Sequence, residues 1–177
     1  MRTPQWVKKL GGHAGELYVA AELSKRGIPN ALLPENFSDD DILIGTKDGC
    51  AMAFLQVKAC HPDRAETFIL KEQDERWADA PENQYVVFVW LGSPERNESP
   101  RFWIALKRDV GNACIEHHAH GTQNWERRFF PSDLHSEWKD NWSLFKRFMS
   151  SECEAASTPK SASLKTKGCG TQIPLNG

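Results

Sequence analysis

The spacing of apolar residues changes period several times along the chain, and each change marks an element. From His13 to Arg26 (HAGELYVAAELSKR) Ala, Leu and Glu dominate, which predicts a helix. Gly27, directly after Lys25 and Arg26, is its stop signal. Pro29 and Asn30 then break the chain. ILIG from Ile42 reads as a strand, Lys47-Asp48-Gly49 as a hairpin turn, and AMAFLQVKA (Ala51 to Ala59) as the returning strand. TFIL at Thr67 to Leu70 is a short apolar piece that fits a further strand, and the polar stretch Lys71 to Pro81 is predicted as a helix. QYVVFVWL (Gln84 to Leu91) is the most apolar run and reads as a strand buried on both faces. RFWIAL (Arg101 to Leu106) is another strand. Leu134, Trp138, Trp142 and Phe145 recur at helical spacing and predict a helix from Ser132 to Phe148. The order is that of a mixed α/β layout around four or five strands.

Near Ser150 the composition shifts. SSECEAASTPKSASLKTKGCGTQIPLNG holds almost no large apolar residues, so it cannot bury enough surface to fold alone. The expectation is one domain over residues 1–149 and a disordered tail over 150–177. The 177 residues suit a single core. No apolar run is long enough to span a bilayer, and MRTPQWVKKLGG lacks the apolar region of a secretory signal, so a cytoplasmic location is expected. The 5 cysteines are odd in number and without CxxC spacing, which argues against both a disulfide framework and a zinc ribbon. The formal net charge of −2 counts mildly against a nucleic-acid partner. An acidic metal site, however, subtracts charge locally without precluding a basic groove.

Four residues carry candidate chemistry. On the first helix, Glu16 shares a face with Val19, Ala20 and Leu23, and a carboxylate facing the core is costly unless paired or bound to a cation. Of the three acidic residues Asp39, Asp40 and Asp41, the last directly precedes Ile42-Leu43-Ile44 and is held by the strand rather than the loop. Gln56 and Lys58 stand two apart on the returning strand and project to one face. Oxygens of Glu16, Asp41 and Gln56 can converge on one hard divalent cation, with Lys58 close by for an attacking water or a phosphate.

The run GGHAGELYVAAELSKRG, then SDDDILIG, then FLQVKA, resembles the core of the PD-(D/E)XK nuclease superfamily, which includes Mrr-type restriction endonucleases and archaeal Holliday-junction resolvases. The resemblance covers about Gly11 to Ala59. It implies a three-layer restriction-endonuclease-like core, with a mixed sheet flanked by helices. It also implies a Mg²⁺-dependent nuclease, with Mn²⁺ as an alternative ion. Asp41, Gln56 and Glu16 would serve the metal, Lys58 would be catalytic, DNA rather than RNA would be the partner, and a homodimer is a family habit. Asp40 stands where the family has proline, and Gln56 replaces the usual acidic residue, as in Mrr-type members. Two readings therefore stay open: a metal-dependent nuclease, and a non-catalytic nuclease-like module that holds nucleic acid or a protein.

Other features are weaker signals. Lys8, Lys9, Lys25, Arg26, Lys71, Arg76, Lys107, Arg108, Arg127 and Arg128 are candidate phosphate contacts, each more simply a solvated surface charge; Lys160, Lys165 and Lys167 add charge to the tail. His117, His118 and His120, with Cys114 and Glu116 nearby, lack a second ligand pair and read as surface residues near a loop. Cys60-His61 adjoins the candidate site without a nameable base. The 7 tryptophans read mainly as core, with Trp125 the one candidate for base stacking.

Overall fold

The structure, a computed structural model, describes residues 4–34, 39–61, 67–119 and 126–149; side chains at 71–75, 117–119 and 126–128 fall outside that description. The expected tail over 150–177, His120 and Trp125 lie outside the described residues.

Helix α1 (Gln5–Lys25) begins earlier than the apolar pattern suggests, behind Pro4 at its N-cap, where a missing N–H leaves nothing unsatisfied. Its buried residues are Gly15, Val19 and Leu23, four apart along one stripe. The chain then enters β1 (Asn30–Leu32), β2 (Ile42–Gly45) and β3 (Met52–Cys60). β1 is three residues long, framed by Pro29 and Pro34, and was not expected from the sequence. The β2–β3 turn bonds Gly49 N–H to Thr46 O and Cys50 N–H to Asp48 Oδ1, as its residue types predict.

β4 (Phe68–Lys71) leads into a 3₁₀ segment at Glu72–Asp79 where an α-helix was expected. β5 (Gln84–Trp90) and β6 (Arg101–Leu106) follow as predicted. Helix α2 (Lys107–Ala119) and β7 (Glu126–Phe129) were not anticipated. In α2 only Lys107, Val110, Gly111 and Cys114 are buried among the described residues, too little apolar repetition to announce a helix.

The main sheet runs β1-β2-β3-β5-β6, and β4 pairs with β7 in a separate two-stranded ladder. β3 and β5 are parallel and every other pairing is antiparallel, so the sheet is mixed. Helices and 3₁₀ segments cover both faces, giving an α/β sandwich of three layers. On one face α1 packs over Leu55, Val57, Val87 and Ile104. On the other, Val86, Phe88 and Trp103 meet β4, β7 and α2. β5 sends Tyr85, Val87 and Val89 to the first core and Val86, Phe88 and Trp90 to the second, the doubly buried strand its composition predicted.

The expected helix over Ser132 to Phe148 is replaced by two short 3₁₀ segments, Ser136–Trp138 and Trp142–Phe148. Asp140 between them has φ of 50°, its N–H bonds to Phe102 O, and Lys139 bridges to Trp103. The segment is thus tied along the outer edge of β6. Leu134 and Trp138 enter one core, whereas Trp142, Phe145 and Phe148 enter the other. The helical spacing of the aromatics was real, but they serve opposite faces of the sheet, which one straight helix could not do.

Candidate active site

β3 has nine residues and β2 has four. β2 starts at Ile42, opposite Leu55, so β3 continues from Gln56 to Cys60 past the start of its neighbour. From Gln56 onward β3 has no strand partner on the β2 side among the described residues, and Asp41 stands at the start of this overhang. The Asp41 backbone is held from both sides: its N–H donates to Leu55 O at 2.8 Å and its O accepts from Leu33 N–H at 2.9 Å.

The Asp41 side chain turns back onto β3. Oδ2 accepts from Gln56 Nε2 at 2.6 Å and from Val57 N–H at 2.6 Å. Both bonds fall on one oxygen, and Oδ1 accepts none from the described residues. Burial pushes the Asp41 carboxyl up from 3.8 to about 6. The Val57 N–H and the Lys58 charge oppose that rise, and the charges of Glu16 and Asp40 add to it. A desolvated carboxylate with one uncommitted oxygen and a like charge beside it is a natural seat for a cation.

Helix α1, which carries Glu16, comes unusually close to β3. A Cβ built on Gly15 would stand 2.6 Å from Ala59 Cβ and 3.5 Å from a Val57 methyl. Glycine alone allows that approach. The neighbouring Glu16 lies at the rim of the interface, with its side chain 29% exposed and its Oε2 3.4 Å from His13 Nδ1. Gln56 and Lys58 project from the sheet face opposite α1, alternating with Leu55 and Val57 as the strand period requires. Lys58 Nζ lies 5.2 Å from the centre of the Trp77 ring, which the 3₁₀ segment Glu72–Asp79 brings over the sheet. Asp41 and Gln56 are thus in contact, and the charges of Glu16 and Lys58 both act on Asp41.

Two further residues join the group. Asp40 and Lys107, 67 positions apart, form an ion pair of 2.7 Å with side chains only 8% and 5% exposed. Lys107 Nζ also lies 5.3 Å from the Trp77 ring centre. The sequence reading of Lys107 as a solvated surface charge is therefore corrected. It sits where β6 ends and α2 begins, and the fold turns it inward onto Asp40. The only hint in the sequence was its place directly after an apolar strand. Of the other expected basic contacts, Lys8, Lys9 and Arg76 are exposed, Lys25 and Arg26 pair with Glu22, and Arg108 pairs with Glu82. Cys60 and Cys114 are buried and Glu116 is exposed.

The donor set suits a hard divalent ion that keeps much of its water. Among the described residues no group of three or more His, Cys, Asp and Glu is gathered at one point. Protein oxygens would come from Asp41, from Glu16 and from the Gln56 amide. Gln56 now turns its Nε2 to Asp41, and rotating the amide would present Oε1 instead. Mg²⁺ is commonly held by one or two carboxylates with water and substrate phosphate completing the shell.

No helix among the described residues is long and apolar enough to cross a membrane. No protein-family model and no curated protein matches the chain. Among solved structures, a bacterial homing endonuclease (I-Ssp6803I) is similar with a TM-score of 0.46 and 13% identity, over 83% of this chain and 94% of that one.

Proposed function

We propose that the protein is a divalent-metal-dependent nuclease that hydrolyses phosphodiester bonds of DNA, with Asp41, Gln56, Glu16 and Lys58 as its active site. The observation that carries this reading is the Asp41 carboxylate. It is half-buried, anchored through one oxygen, and lies within electrostatic reach of Glu16 and Lys58. The resemblance of the segments around these four residues to the PD-(D/E)XK core supports the same conclusion.

In this scheme a bound Mg²⁺ or Mn²⁺ supplies Lewis acidity toward a phosphate oxygen and a lowered pKa for a bound water. The chain's own residues do the rest. Asp41, with its backbone fixed between two strands, offers Oδ1 as the rigid ligand. Glu16 supplies the second carboxylate from the rim. Gln56 contributes a neutral oxygen once its amide turns, and otherwise steadies Oδ2. The Lys58 ammonium, on the same sheet face, orients the attacking water or offsets charge that develops on the phosphoryl oxygens. Exposed Lys8, Lys9 and Arg76 are available to track the phosphate backbone.

The test incubates the purified protein with supercoiled plasmid, single-stranded DNA and RNA, each with Mg²⁺ or Mn²⁺, and repeats the assay with Lys58→Ala. Metal-dependent cleavage lost in the variant is the expected result; equal cleavage by parent and variant would remove the proposed site. A second reading, a nuclease-like module that binds without cutting, is favoured by one observation: a neutral amide, Gln56, holds the place of an acidic ligand. Binding of DNA with neither divalent-ion uptake nor cleavage would select it.

A further inference from the structure

The Asp40–Lys107 pair is out of keeping with a purely structural role. Taking two charges out of water is expensive, and a buried pair is often no more stabilising than apolar residues of the same size. The aspartate of this pair directly precedes Asp41 in the chain. Its ammonium shares the Trp77 ring with Lys58, the two Nζ atoms lying 5.3 and 5.2 Å from the ring centre. Trp77 is itself set closely: a Cβ on Gly111 of α2 would collide with the backbone of Trp77 and Ala78. The start of α2, the 3₁₀ segment and the entry to β2 therefore converge on one point.

We infer that Lys107 is a positioning residue of the candidate site: by holding Asp40 in a buried ion pair beneath Trp77 it fixes the entry of β2, and so the direction in which Asp41 presents its free oxygen to a divalent cation. Backbone bonds to Leu55 and Leu33 fix where Asp41 starts, and the Asp40 anchor one residue earlier limits how the peptide between them can turn. Lys107 does not touch the ion in this arrangement; it acts through Asp40. The inference rests on the proposed reading of Asp41 as a metal ligand.

The experiment measures Mn²⁺ binding by calorimetry at 15 °C, for the parent, Asp41→Ala, Lys107→Met and the double variant Asp40→Asn/Lys107→Met. The double variant removes both charges, so no orphaned carboxylate is left to unfold the chain. Circular dichroism confirms the fold of each, and thermal melts are recorded without metal. The expected result is saturable binding by the parent, lost in Asp41→Ala, and at least tenfold weaker in the folded double variant. A purely structural pair predicts a lower melting temperature with unchanged Mn²⁺ affinity, and that outcome overturns the inference while leaving the metal site standing. A parent that binds no Mn²⁺, or an Asp41→Ala variant that binds it equally well, overturns the metal reading and the inference with it. A measurement on the parent needs no variant: Mn²⁺ at saturation broadens the side-chain resonances of Lys107 and the indole of Trp77. Unbroadened Lys107 resonances would also overturn the inference.

Discussion

The carboxylate of Asp41 makes the fold pH-dependent in an unusual direction. In the folded chain burial raises its pKa to about 6, against 3.8 for the ordinary group. Between roughly pH 4 and 6 the folded state holds a proton that the unfolded state has released. Stability must then fall as pH rises through that window, opposite to the usual behaviour of a salt-bridged carboxylate. At about 1.4 kcal/mol per tenfold change the full difference is on the order of 3 kcal/mol, and partial solvent screening reduces it to roughly 2 kcal/mol at neutral pH. Asp41→Asn removes the titration and keeps an oxygen for the Val57 N–H. Urea melts of the metal-free proteins at pH 5.0 and 7.5 should show the variant gaining roughly 2 kcal/mol relative to the parent at the higher pH, or a rise of ~4–8 °C in Tm for a chain of this size. The difference between the two proteins should nearly vanish at pH 4. Mg²⁺ should stabilise the parent at pH 7.5 by ~2.7 kcal/mol at a hundred times its Kd, and leave the variant unmoved. An Asn variant that is less stable than the parent at pH 7.5, or that shares its pH profile, would refute the argument that Asp41 is strained by desolvation.

Three other outcomes follow from the same structure. Gln56→Glu should tighten Mn²⁺ binding by calorimetry while lowering metal-free stability at pH 7.5, because a second carboxylate replaces the donor that bonds Asp41 Oδ2. Gly15→Leu should destabilise by about 2 kcal/mol or more in urea, since even a Cβ would press on Ala59; it should also weaken Mn²⁺ binding by moving α1, and Glu16 with it, away from β3. Phe145→Ala, which empties a fully buried ring packed edge-on at 5.0 Å from Tyr85, should cost about 3–5 kcal/mol in chemical denaturation without changing metal affinity per folded molecule.

What could be read from the sequence was whatever depends on local period. β5 and β6 were legible because YVVFVW (85–90) and FWIAL (102–106) are unbroken apolar runs. The hairpin was legible because Asp48 and Gly49 are turn residues with a mechanism. The meeting of Asp41 with Gln56 could be anticipated because hairpin register sets it. α2 was missed because it packs by closeness at Gly111 rather than by a wide apolar stripe. The segment from Ser132 was misjudged because helical spacing records which residues are buried, not which of two cores receives each. Lys107 was beyond reach for a further reason. Nothing local distinguishes a lysine that finds an aspartate 67 positions away from one that finds water.

The two ends of the main sheet carry a consequence for association. A strand edge is a row of unmatched peptide groups that another chain can extend. Here one border is three residues long between Pro29 and Pro34, and the other is occupied by the run around Lys139 and Asp140. Neither offers a template on which a second chain could add a long ladder. Among the described residues the borders of the main sheet are thereby guarded against the end-to-end growth that leads to fibres.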